Sequence, residues 1–292
     1  MKIELTIINI LIIILIIIVI TIILLYFSYK YIQEYLYKLN GKIYIDKLKK
    51  PEYNTENKKV AICISGQIRD GYQECLLLIK FFLIDSLNAD VFCCFEDCDN
   101  ENKNYVTKEL KPKKIIYISD YIKDDNNIIS YGTLSMYNKI YLSNKLKIDY
   151  ELENNFKYNY VIRMRPDLIV KEFLPKYIFE NETDKLYLPR KYEMFIGEDN
   201  YRKYPDFIAI GNSKIIDIYS NIFLSLIKDL NNKCNVSETL LFNYLNSNNI
   251  ECIIFNYPYS IYRFKFDSLI NIWNQYMYDR SLYDRYVTNN KC

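Results

Sequence analysis

The segment YNYVIRMRPDLIV, residues 158–170, decides how this chain is read. Its apolar run has the character of a buried β-strand, yet it carries Arg163, Arg165 and Asp167. Residues two apart on a strand point to the same face, so the three charges share one side. Isolated charges are costly to bury, so that face must meet either structural ion pairs or a charged ligand. Pro166 has no amide proton, which ends the ladder and brings Asp167 out at the sheet rim.

Outward from this segment, strands alternate with helices, the pattern of an α/β domain with a largely parallel sheet. KKVAICIS is the first strand, and a helix over about 72–87 follows it. ADVFCCF is the second strand and KKIIYIS, residues 113–119, the third. A long helix over about 134–155 leads into YNYVIRM. DFIAIG, residues 206–211, a helix through 230, another over 237–246 and the strand ECIIF complete the series. Ligands of such sheets sit at the carboxyl ends of the strands, where SGQIR (65–69) and RPD (165–167) both fall.

The chain has 292 residues, half of them apolar, and a formal charge of +2, which argues against a nucleic-acid partner. It contains no histidine. A histidine base, a Ser/His/Asp triad and a histidine metal site are therefore excluded, and proton transfer falls to Asp, Glu, Tyr or Lys. Neither GxxxxGK[ST] nor GxGxxG occurs, which weighs against a P-loop NTPase or a dinucleotide-binding domain.

Residues 5–27, after a short tail at 1–4, form an uncharged run rich in Ile and Leu, long enough to span a bilayer and without the small residues of a signal cleavage site. The expectation is a single-pass anchor, followed at 28–58 by a helical extension and stem, and at 59–292 by the α/β domain. Lys30, Lys38, Lys42 and Lys47 follow the run and only Lys2 precedes it, which favours a cytoplasmic domain. Two sequons, at Asn181 and Asn235, would matter only in a secretory lumen. All eight cysteines lie beyond the run; Cys63, Cys93 and Cys94 sit in apolar strands as small hydrophobes.

Three constellations compete for the chemistry. Gly66 permits a tight turn after the first strand, so that Gln67 and Arg69 can face a ligand, although a plain strand-to-helix turn explains them equally. Asp167 at the rim can bind Mg²⁺ or Mn²⁺ through a hard oxygen, with Arg163 and Arg165 balancing the negative charge of a diphosphate. Asp97 and Asp99 form a rival DxD with Glu96 beside it, in a run, EDCDNENKN, that reads as a solvated loop. A zinc site on Cys93, Cys94 and Cys98 is weaker, because adjacent strand residues point to opposite faces.

Taken in order, SGQIR, ADVF, ENNFKYNY, VIRMRPDL, DFIAIGNS and SETLL resemble GT-A type glycosyltransferases over residues 59–260. The likeness is to a group from giant viruses and bacterial polysaccharide loci in which an RxRxD strand stands where others have DxD. FEDCD after the second strand departs from the His and aromatic sequence of those relatives. The resemblance implies a nucleotide-sugar donor held near Ser65, Gly66, Gln67 and Arg69, a divalent metal at Asp167, and a glycan, lipid or protein acceptor. It also places Glu238 where inverting enzymes of this fold carry a catalytic carboxylate, with Asp206 as a second candidate. Ser237 and Glu238 equally suit a helix N-terminus. A membrane-tethered binding protein that has lost catalysis and a phosphotransferase are the rival functions.

Overall fold

The computed structural model describes residues 19–21, 50–53, 58–69, 71–119, 129–180, 184–190, 204–228 and 236–261. Lys50–Phe266 form one compact unit, and Met1–Lys49 with Asp267–Cys292 group as another, of which only the helical residues 19–21 are described. The rest of the expected anchor at 5–27, most of the extension and stem, Asn181 and Asn235 of the sequons, and residues 262–292 lie outside the described residues. Among the described residues no helix is long and apolar enough to cross a membrane.

The compact unit is an α/β domain. β1 (Val60–Gly66), β2 (Asp90–Glu96), β3 (Lys114–Ile118), β4 (Tyr160–Met164), β6 (Leu186–Arg190), β7 (Ile208–Gly211) and β8 (Cys252–Asn256) form one sheet in the order β3-β2-β1-β4-β7-β6-β8. β5 (Leu168–Val170) and β9 (Tyr259–Ile261) pair separately. The helices are α1 (Tyr72–Ile79), α2 (Asp85–Leu87), α3 (Asn100–Leu110), α4 (Tyr131–Glu153), α5 (Ser213–Ser220), α6 (Ile222–Lys228) and α7 (Ser237–Ser247). A π-helical stretch, Lys80–Ile84, joins α1 to α2, so the expected helix over 72–87 is continuous but locally underwound.

β1 is central, and Val60 to Ser65 are all buried, as expected for a parallel strand covered on both faces. Each fully buried Ile or Val there contributes roughly 1.5–3 kcal/mol by leaving water. β3 at the edge is only half-buried throughout. The long α4 packs on β1 and β2, with Leu134, Tyr137 and Ile140 joining Phe92 and Tyr158 in the main core. Ser130 caps its start by accepting from the Thr133 amide.

The seven-stranded sheet is largely parallel as expected, in its pairings β3-β2, β2-β1, β1-β4 and β6-β8; β7 runs antiparallel to both β4 and β6, since apolar alternation marks a strand without encoding its direction, which its connections set. Two sequence expectations need correction. The polar run after β2 is a loop only as far as Asp99, which accepts from the Asn102 amide at 2.8 Å and starts α3, whose Val106 and Leu110 are buried. YNYVIRMRPDLIV is two strands, with the main ladder ending at Met164 and β5 joining the small sheet after the turn at Pro166. β6 and β9 went unpredicted. Pro189 obscures β6, although its Leu186 and Leu188 show the inward alternation.

Candidate functional site

β1 is followed in the chain by β2 on one side and flanked by β4 on the other, so the point where the connections diverge lies between the carboxyl ends of β1 and β4. The two ends abut. Gly66 has φ +148°, and a Cβ there would lie 2.9 Å from Cδ of Pro166. A residue without a side chain is thus what lets the turn after β1 close on the turn after β4.

Around this joint the polar side chains form a continuous chain. Arg165 grips Asp167 with two bonds, Nε to Oδ1 at 2.8 Å and Nη2 to Oδ2 at 2.6 Å, and its guanidinium lies 5.6 Å from the Phe207 ring centre. Nη1 of Arg69 stands 3.9 Å from the same Oδ2. Nε of Arg69 donates to Oε1 of Gln67 at 3.1 Å, and Gln67 donates to Glu96 at 3.3 Å. Glu96, at the end of β2, receives Nζ of the buried Lys139 on α4, also at 3.3 Å. Lys139 donates in addition to Ser135 at 2.6 Å. Ser65, by contrast, is buried, and its hydroxyl has no hydrogen-bond partner.

The second charged group lies inside the domain. Arg163 is 1% exposed and donates from Nη1 to the Asp206 carbonyl oxygen, while its Nε and Nη2 are unbonded. It is enclosed against the Asp206 backbone, whereas Arg165, two positions on, is partly exposed and pairs with Asp167. Asp206 is buried as well, and burial raises its pKa against the lowering effect of Arg163; Glu238 raises it further, while Ser237 and Arg165 lower it. Asp206 and Glu238 therefore belong to one electrostatic cluster. Glu238 remains half-exposed and accepts from Ser237 at 2.9 Å. The cap of α7 is Val236, which makes no side-chain capping bond. The start of α7 is tied to the core by the Tyr137 hydroxyl, which donates to the Ser237 carbonyl at 2.9 Å.

The rival sites dissolve in the fold. Asp99 is the cap of α3, and Asp97 pairs with Lys103 at 2.6 Å on the surface. Cys93 and Cys94 are fully buried, and Cys63, Cys75, Cys93, Cys94, Cys98 and Cys252 are all free thiols. Burial pushes the thiols of Cys63 and Cys94 up to about 12, so neither offers a thiolate at neutral pH.

The Mg²⁺ or Mn²⁺ implied for Asp167 does not fit this donor set. Both carboxylate oxygens are taken by Arg165, a second guanidinium stands close, and among the described residues no group of three or more His, Cys, Asp or Glu is placed to hold a metal ion. Sequence reasoning passed over Glu96 as a link and missed Lys139 altogether. The signal for Lys139 was a lysine in register with Ser135, Ser143, Lys147 and Glu151 along α4, a polar stripe at four-residue spacing that is buried throughout.

No protein-family profile matches the chain, and no curated protein matches it in sequence. Among solved structures, a protein assigned as a nucleotide-diphospho-sugar transferase from Desulfovibrio desulfuricans G20 aligns with a TM-score of 0.39 and 8% identity, over 68% of this chain and 79% of that one. The apo-form glycosyltransferase GlyE of Streptococcus pneumoniae TIGR4 aligns with a TM-score of 0.40 and 14% identity, over 68% of this chain and 45% of its own length. Likeness of this degree carries no argument about substrate or chemistry.

Proposed function

We propose that this chain is a glycosyltransferase of GT-A type, moving a sugar from a nucleotide-diphosphate donor to a hydroxyl of a glycan, lipid or protein. The observation that carries the reading is the junction of the β1 and β4 ends, where Arg69, held by Gln67, and Arg165 bring positive charge to Asp167, and where Arg165 and Glu238 both act electrostatically on the carboxylate of Asp206. A site that must release a diphosphate and accept a proton needs these two kinds of group side by side.

In this reading the donor diphosphate lies over the turn at Gly66 and against Arg69 and Arg165. The bond from the anomeric carbon to the β-phosphate oxygen breaks, and its electron pair leaves on the diphosphate. The acceptor oxygen forms the new bond to that carbon, and its proton passes to Glu238, the more exposed of the two carboxylates. Asp206, enclosed at 3% exposure, acts through its neighbours and not on the acceptor directly. The apolar run at 5–27 would hold the domain at a membrane, with the lysine distribution favouring the cytoplasmic side.

The test is a screen of the full-length chain against a panel of nucleotide sugars, reading glycosidic product and free nucleoside diphosphate. Release of nucleoside diphosphate with a new glycosidic bond supports the reading. A transferred phosphate would identify a phosphotransferase, and donor binding without turnover under any acceptor would identify a tethered binding protein.

A further inference from the structure

Asp167 is the residue that sequence reasoning gives to a divalent cation, and its carboxylate is already engaged. The fork from Arg165 takes one lone pair on each oxygen, at 2.8 and 2.6 Å, in a side chain only 4% exposed. An entering cation would have to break this pair and then stand beside two fixed positive charges, Arg165 and Arg69. We propose that the guanidinium pair is itself the diphosphate site: Asp167 is the anchor that orients Arg165 and Arg69, and the donor diphosphate binds to them directly, without a divalent ion between protein and phosphate. This rests on the donor reading above.

The geometry is that of a pre-formed anion cradle. Asp167 engages two of the five N–H groups of Arg165, and Phe207 lies against the guanidinium, so its plane is held while its remaining donors stay available. Arg69 is 44% exposed, yet it does not swing freely, because Gln67 holds its Nε, Glu96 holds Gln67, and the buried Lys139 holds Glu96. Charge alternates along this ribbon across the ends of β2, β1 and β4. Within the ribbon Lys139 and Glu96 cancel, and two guanidiniums face the single carboxylate Asp167, a local excess of positive charge of the sign a diphosphate requires. Arginine is also the residue suited to the task, since a planar fork can serve a carboxylate with one edge and phosphate oxygens with another, which an ammonium group cannot. Glu96, Gln67 and Lys139 are positioning residues in this scheme.

The experiment is calorimetric titration of the full-length chain with UDP, GDP, ADP, CDP and inorganic pyrophosphate, in excess EDTA and again in Mn²⁺. The expected result is one nucleoside diphosphate binding in EDTA within about threefold of its affinity in Mn²⁺. Arg69→Met and Arg165→Met should each weaken it by about tenfold or more in both buffers, the loss of a charge-assisted hydrogen bond, and Arg165→Lys should not restore it. Lys139→Met should weaken it less, and Arg69→Lys in that background should add little further loss. If Arg165→Met fails to fold, the exposed Arg69 carries the same test. The proposal is overturned if wild-type binding disappears in EDTA and returns with Mn²⁺, and if Asp167→Asn abolishes that return. Pyrophosphate binding that depends on Arg69 in EDTA, with no nucleotide or nucleotide sugar bound better than pyrophosphate, would keep the cradle and remove the donor reading. Absence of pyrophosphate and nucleotide binding in EDTA, with donor turnover intact in Mn²⁺, would do the reverse.

Discussion

Replacing Gly66 by alanine should damage stability and site together, because this one position joins the two strand ends. Its φ of +148° is disfavoured for an L side chain, a strain of about 1–3 kcal/mol. The new Cβ would also lie 2.9 Å from Cδ of Pro166, well inside the roughly 3.5–4.0 Å at which carbon atoms rest, with Cγ in contact at 3.4 Å. Pro166 is a rigid ring, so relief requires moving the turn, and overpacking of this kind costs about 1–3 kcal/mol. Relaxing one strain partly relieves the other, so we expect a total of about 2–5 kcal/mol by denaturant unfolding. Pro166 sits between Arg165 and Asp167, so a shift of half an ångström to one ångström should also cost donor turnover about 10- to 100-fold. Gly132 supplies the control: a Cβ there meets nothing within 4 Å, and alanine in the first turn of α4 should be neutral or stabilise by up to about 1 kcal/mol. Gly66→Ala with wild-type unfolding free energy and unchanged nucleotide affinity would refute the close-approach argument.

Other perturbations separate neighbouring roles. Asp99→Ala should cost about 1 kcal/mol through loss of the α3 cap, while Asp97→Ala/Asp99→Ala leaves nucleotide affinity at the wild-type level by titration; a lost ligand site in that double variant would return the chemistry to the end of β2. Glu238→Gln should lower turnover by ~10² or more with nucleotide affinity retained. Glu238 lies in the first turn of α7 and accepts a bond from Ser237, so losing its charge should cost no more than about 1 kcal/mol of stability, and normal turnover would exclude it as the base. Glu151 is buried, which raises its pKa, but bonds from Lys157, the Tyr158 amide and Ser213, with the charge of Lys147, outweigh this and hold it below its usual 4.5. Its folded pKa is depressed, so its contribution is complete above the unfolded value and is lost as pH falls through the folded one. Glu151→Gln should therefore be less stable than wild type by roughly 1–3 kcal/mol at neutral pH, with the gap closing as pH falls below about 4.5; a gap that persists in acid would contradict the pairing.

Sequence alone determined the alternation of strands and helices, because apolar period is a local property: β1, β2, β4 and α4 sit where their patterns put them. It also determined that no ladder could run past Pro166, since a missing amide proton is covalent, although the last residue paired in the main ladder is Met164, and that no histidine chemistry is possible. Periodicity says which side chains share a face and is silent on what that face meets. The stripe Ser135, Lys139, Ser143, Lys147 and Glu151 has the spacing of a solvated helix face, yet it is buried, because Lys147 meets Ser213 and Asp217 on α5 and Lys139 meets Glu96. Arg163 and Arg165 are equivalent in pattern. Only the packing of Asp206 over β4 turns the first inward, while the turn at Pro166 leaves the second free to chelate Asp167. The direction of β7 and the assignment of Asp99 to a cap were likewise settled in three dimensions. In each case the deciding partner comes from another element of the chain or from the turn geometry, and an ion pair is fixed by where the fold brings its two ends, which no local pattern records.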